Sequence, residues 1–307
     1  MRFENIIQLT TQFSDEGVCR KHLATLRWGQ GPAACHFCGT VGAYSIEGGK
    51  RYKCCSKECG KKFSVTTGTI FENTKLPLRV WFIGIYLACN HPKGISSVQL
   101  AKDLGITQKS AWFVLSRLRE MLKENAPAML AGQVECDETY VGGKEANKHL
   151  NKRIEGAQGG AGKTAVFGIV QRGGKVVAKS VLNSKKATIQ PIMRKHVAID
   201  ATVYTDEHNG YTGLARTYIH ETVNHSGGEY VRGTAHTNTI ESFWALFKRG
   251  MVGVYHYVSP KHLDRYCDEF TFRYNTREFS QQDRHTLAVQ QAEGRRITYR
   301  QLIGKAQ

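Results

Sequence analysis

Gly132-Gln133-Val134-Glu135-Cys136-Asp137-Glu138-Thr139-Tyr140-Val141 alternates like a β-strand and yet carries three acids. A charge inside a strand is unfavourable unless it faces water or a ligand. Successive strand side chains point to opposite faces, so Glu135 and Asp137 share one face and Glu138 takes the other. Asp137, at the centre, is the candidate ligand-facing carboxylate, and Glu135 is a distant second.

The pattern continues downstream. Residues 165–172 (AVFGIVQR) and 175–182 (KVVAKSVL) read as strands joined in hairpin fashion by Gly173-Gly174. Residues 187–197 read as a helix despite Pro191, and 201–206 and 217–224 as strands. Residues 237–250 form an amphipathic helix closed by Gly250. A further helix covers 259–277, with Ser259 as cap and Pro260 at its first position. Strands interleaved with helices predict an α/β domain over 128–307. The glycine-rich, basic stretch 142–164 has no apolar face and reads as a mobile loop.

Two more acids join Asp137. Asp206 ends the strand Val203-Tyr204-Thr205-Asp206, and Glu241 lies among the apolar residues Ile240, Phe243, Trp244, Leu246 and Phe247 of its helix. Any one such acid is ordinarily a solvated charge. Three of them on two strands and one helix can converge on a pair of divalent ions, the arrangement that activates an oxygen nucleophile in phosphodiester chemistry. Lys248 follows Glu241 by seven positions, two helical turns on the same face, and can hold a phosphate there. Ala157-Gln158-Gly159-Gly160-Ala161-Gly162-Lys163-Thr164 imitates a nucleotide phosphate loop, but a polar run precedes it and a strand pattern follows, which is the wrong context.

Upstream the texture changes. Residues 3–27 read as two short helices. Over 33–72 apolar periodicity disappears, and Cys35-His36-Phe37-Cys38 and Cys54-Cys55-Ser56-Lys57-Glu58-Cys59 supply two cysteine pairs. Such pairs suit one structural, tetrahedral zinc ion (Zn2+) on Cys35, Cys38, Cys54 and Cys59. Cys54 is favoured because Tyr52-Lys53-Cys54 continues a strand into the knuckle; Cys55 remains the alternative. Residues 78–123 are helical again. The segment from Ser96 to Leu122 divides at Gly105 into a short helix, a tight turn and a longer helix, the pattern of a helix-turn-helix. Gln108 and Lys109 begin its second helix as candidate base and phosphate contacts, and Arg117 and Arg119 are candidate phosphate contacts. Pro127 marks a boundary. The plan is thus 1–75 for the helices and ribbon, 76–127 for the helix-turn-helix, and 128–307 for the catalytic domain.

Composition agrees. Of 307 residues, 43 are Lys or Arg against 26 Asp or Glu, a net charge of +17 that points to a nucleic-acid partner. The sequence has no long apolar run to span a membrane and no signal-peptide pattern, so a cytoplasmic, nucleoid-associated location is expected. Nine cysteines there suggest metal binding or burial before disulfides.

The chain resembles bacterial insertion-sequence transposases of the Merlin-like group. The resemblance runs through Leu26-Arg27-Trp28, Cys35 to Cys38, Phe63 to Glu72, Val134 to Gly143, Tyr204-Thr205-Asp206, His236 to Trp244, and Phe272-Arg273-Tyr274-Asn275. It implies a ribonuclease H-like mixed sheet with flanking helices and a D-D-E triad on Asp137, Asp206 and Glu241, with 34 residues between the last two. It also implies two magnesium ions (Mg2+), binding to the terminal inverted repeats and target DNA as double strands, and a homodimer or larger active complex. Two other classes are a DNA-binding regulator with a degenerate core, separable by a metal-dependent cleavage assay, and a nuclease that cuts without joining, separable by a strand-transfer assay.

Overall fold

We describe the computed structural model of the chain over residues 3–124, 129–143, 145–155, 160–224, 227–229 and 231–304. The boundary residue Pro127 and Ala157-Gln158-Gly159 of the phosphate-loop look-alike lie outside the described residues. The chain divides into two compact units, Met1–Leu122 with Glu278–Gln307, and Lys123–Arg277. This differs from a catalytic domain of 128–307: the last thirty or so residues belong with the N-terminal ones.

In the first unit, α1 (Ile6–Gln12) and α2 (Glu16–Trp28) start at Asn5 and Asp15, whose side chains accept from the first-turn amides. A small antiparallel sheet follows, of β1 (Tyr44–Ile46), β2 (Arg51–Lys53) and β3 (Lys62–Phe63). Its apolar support is slight: Trp28, Tyr52 and Phe63 pack around Cys35 and Cys54. Helix α3 (Leu78–Asn90) buries Leu78, Trp81, Phe82 and Ile85. Helix α4 (Ser97–Leu104) is capped by Ser96 and closed by left-handed Gly105 at φ 63°, and Thr107 caps α5 (Gln108–Met121).

The second unit is built on a five-stranded mixed sheet. Its strands are β4 (Gln133–Val141), β5 (Thr164–Gln171), β6 (Val176–Val181), β7 (Thr202–Asp206) and β8 (Ile219–Val223), in the order β6-β5-β4-β7-β8. Strands β4, β5 and β6 are antiparallel in turn, whereas β4, β7 and β8 are parallel. One face carries α6 (Lys186–His196), with Ile189 and Met193 in a cluster with Val134, Cys136, Phe167, Ile169 and Val203. The other face carries α7 (Asn238–Gly250) and α8 (Leu263–Asn275), with Ile240, Phe243, Trp244, Phe247 and Phe270 against Val166, Val170 and Val176. Burying each such side chain contributes about 1.5–3 kcal/mol.

Two expected helix ends differ. Gly250 does not close α7: its φ of −69° is right-handed, and the chain runs on through a π turn, Met251–Tyr255, to His256 at φ 57°. Ser259 stands at the expected cap but makes no capping bond, and Pro260–His262 form a 3-10 turn before α8. Within the stretch read as a mobile loop, two short 3-10 turns occur, and the Glu145 carboxylate receives Lys148 and the amide of Ile154. Thr164 then enters β5 directly, without the helix that a phosphate loop requires.

The first unit is completed by α9 (Gln281–Gln290) and α10 (Tyr299–Leu302). His285 of α9 sits among the rings of Phe3, Phe13 and Phe82, and the amide of Ile70 donates to Ala292 O at 3.0 Å.

Candidate catalytic carboxylates and the cysteine cluster

The sheet register brings the two aspartates together. Parallel β4 and β7 pair Gln133 with Thr202, Val134 with Val203 and Glu135 with Tyr204. Asp137 and Asp206 each lie two residues beyond the last of these pairs, so strand alternation puts both on the face that Glu135 and Tyr204 share. That face is the one covered by α7, because Asp137 pairs with Gly168 and Gly168 meets Trp244 and Ile240.

Glu241 lies in the first turn of α7 and accepts from the Thr237 hydroxyl at 2.9 Å. Asp137 accepts from the amide of Glu138 at 2.8 Å, and Asp206 from the amide of His208 at 3.0 Å. Burial pushes the Asp137 carboxyl up to about 6; the Glu138 amide and Lys248 pull it down, and the charges of Asp206 and Glu241 push it up. Asp137 thus feels the charges of the other three predicted residues. Their carboxylates stay further apart than the cysteines: among the described residues only the cysteine group brings three or more metal-binding side chains within 4.8 Å of one another.

Lys248 is exposed and borders a cavity of about 120 Å³ with Tyr140, Gly143, His256 and Tyr257. Glu138 points away from Asp137, as strand alternation requires; burial first, then Asp137 and Asp206, raise its carboxyl to about 8.

Glu135 has a larger role than the sequence suggests. Its side chain is fully buried and accepts from Arg172 Nε at 2.6 Å, Thr239 N at 2.8 Å, Thr239 Oγ1 at 2.9 Å and Ile240 N at 2.9 Å. Arg172 also donates to the carbonyls of Thr234 and His236, both at 2.8 Å, and lies over the Tyr204 ring. The only sequence signal for this cluster is that Glu135 shares a face with Asp137; nothing in the sequence ties it to residues a hundred positions away.

In the first unit, the sulfurs of Cys35, Cys38, Cys54 and Cys59 lie within 4.8 Å of one another. Cys35 and Cys59 are 3.8 Å apart and Cys38 and Cys54 3.5 Å, close to the edge of about 3.8 Å that a tetrahedron of 2.3 Å zinc–sulfur bonds requires. Cys55 is outside this group and turns to the Val41 carbonyl. Geometry therefore selects Cys54.

Of the expected DNA contacts, Gln108 and Lys109 are exposed at the start of α5, with Gln108 Nε2 donating to Ser97 Oγ at 2.9 Å. Arg117 and Arg119 do not fit a phosphate-binding role, being only 7% and 4% exposed. Arg117 donates to the carbonyls of Ile70, Glu72 and Ile297 and stacks on Phe113. It lies on the inner side of α5, between Val114 and Leu118, where buried carbonyls need a donor.

A four-cysteine ribbon in one unit and an acid-bearing mixed sheet in the other are the two parts that comparison with known proteins recovers separately. Residues 14–62 match the transposase zinc-ribbon domain, and residues 129–275 match the ISXO2-like transposase domain. Over 269 residues the chain is 30% identical to a protein in the transposable element ISH50 of Halobacterium salinarum, covering 82% of this chain and 88% of that one. It is also 31% identical over 109 residues to a transposase-like protein of Haemophilus influenzae, covering 35% of this chain and 87% of that one. The chain belongs to this family of insertion-sequence transposases.

Proposed function

We propose that the chain is a DNA transposase that binds the terminal inverted repeats of its element and cuts and joins strands at Asp137, Asp206 and Glu241. The observation that supports this reading is that Asp137 and Asp206 each lie two residues past the Glu135–Tyr204 pair and on its face, while the charges of both Asp206 and Glu241 bear on the Asp137 carboxyl. Three carboxylates form a hard oxygen set suited to magnesium; burial first, and then repulsion from Asp206 and Glu241, raise the Asp137 carboxyl, and a divalent cation would relieve that repulsion. Magnesium bound there would supply a nucleophilic oxygen at neutral pH and neutralise charge on the leaving oxygen. Asp137, Asp206 and Glu241 would be the residues that hold the ions. Lys248 would hold a substrate phosphate without touching metal.

The sheet order, antiparallel on one side of β4 and parallel on the other, supports a ribonuclease H-like reading of the second unit. Helices α4 and α5, joined at Gly105, support a helix-turn-helix reading with Gln108 and Lys109 at its exposed tip. The cysteine group would hold one structural zinc ion. No helix among the described residues is long and apolar enough to cross a membrane. A homodimer or larger complex on DNA in the nucleoid completes the proposal.

The test is substitution of each acid in the full-length protein. Asp137→Asn, Asp206→Asn and Glu241→Gln are each expected to abolish magnesium-dependent cleavage and joining while DNA binding persists. Near-normal strand transfer by any one of them overturns the triad. Cleavage without joining by the unsubstituted protein would make it a nuclease, and neither activity would make it a regulator.

A further inference from the structure

Helix α7 carries Glu241, and the segment leading into it serves only the first of its amides: Asn238 N donates to His236 Nδ1 at 3.4 Å. Thr237 stands at the cap position, and its side chain makes no bond to a first-turn amide. Its hydroxyl is turned to Glu241 instead. A helix whose first amides lack partners is destabilised, and a buried amide left unpaired costs about 1–3 kcal/mol.

The partner of the next two amides comes from β4. The Glu135 carboxylate accepts the amides of Thr239 and Ile240, the second and third residues of α7, and the Thr239 hydroxyl as well. A carboxylate there also meets the positive end of the helix dipole. Arg172, on the neighbouring strand end, fastens the same carboxylate and the backbone of Thr234 and His236 that leads into the helix.

Glu135 is two residues from Asp137 on the same strand and face, and the amides it holds are one and two residues before Glu241. Strand and helix are thus pinned to each other beside the place where their acids must meet. We propose that Glu135 is a positioning residue that sets the separation of Asp137 and Glu241 for metal binding. The proposal rests on the reading of those acids as metal ligands. Glu135 itself is not a ligand, because its oxygens are taken by donors from α7 and Arg172.

Binding of Mn2+ to the full-length protein without DNA, followed by electron paramagnetic resonance of the free ion, tests this. Glu135→Gln keeps the size of the side chain but presents an amide nitrogen where donors converge. The expected result is Mn2+ affinity weakened about ten-fold or more, the usual consequence of losing a partner that orients metal ligands. In the Glu241→Gln background the same substitution should change affinity less than two-fold, because its effect passes through Glu241. A merely structural residue would weaken binding equally in both backgrounds, and that result, or unchanged affinity in the single variant, overturns the proposal. If Glu241→Gln alone binds Mn2+ as the unsubstituted protein does, the metal-ligand reading fails and the proposal falls with it. Should Glu135→Gln not fold, Thr239→Val, which removes one of its donors, is expected to weaken Mn2+ binding in the same direction, and unchanged affinity overturns the proposal.

Discussion

Gly168 pairs with Asp137 across the sheet and lies under α7. A methyl group at this position would meet Trp244 Cζ2 at 2.4 Å and Ile240 Cδ1 at 3.0 Å, so either the helix or the strand must move. Overpacking of this kind costs about 1–3 kcal/mol. It would also lift Glu241 from Asp137, and a 1 Å misplacement in such a site costs about 100-fold in rate. Gly168→Ala is therefore expected to lower both the melting temperature and metal-dependent cleavage; a variant with native stability and full cleavage would show that α7 need not lie so close. The same scale explains why Arg117 and Arg119 were legible as cations but not as buried ones. Their helical positions between apolar residues place them inward, and for Arg117 only the surrounding carbonyls show what it does there.

The cysteine ribbon is an element without a core of its own: three short strands around Trp28, Tyr52 and Phe63. Its stability must come from the thiolates and the ion they would hold. Cys54→Ser is accordingly expected to release the ion and unfold the ribbon, whereas Cys55→Ser should keep one zinc per chain by elemental analysis, because Cys55 is bonded to Val41 instead. Equal zinc loss in both variants would contradict the assignment. Helix α7 shows the opposite arrangement: its amphipathic pattern was plain in sequence, but its capping group lies on a different strand.

The first unit as a whole is closed by residues from the far end of the chain. His285 of α9 is fully buried, with its Nε2 3.1 Å from the Phe82 carbonyl, and burial holds its imidazole down at about 3, below the usual 6.5. The unfolded chain therefore binds a proton that the folded unit refuses. Its contribution to stability is fully present above about pH 6.5 and is lost as pH falls from there towards 3. Thermal unfolding of the protein between pH 7 and 4 should show the decline, and His285→Gln should flatten it; an equal slope in the variant would assign the pH dependence to other groups. The net charge of +17 acts at the same scale: on the proposed function, binding to DNA is expected to have a general component that weakens as salt rises.

The sequence by itself determined the local features: the strand and helix periods of β4, β5, β6 and α7, the paired cysteines, the turn at Gly105 and the face of β4 on which Asp137 lies. Each depends on residues within a few positions of one another, where backbone geometry leaves little choice. Tertiary structure alone decided that 278–307 joins the N-terminal unit, that Cys54 and not Cys55 completes the cluster, that Arg117 and Arg119 are buried, and that Glu135 caps α7. These depend on which surfaces meet, and burial and hydrogen-bond pairing between segments apart in sequence leave no periodic trace in the chain.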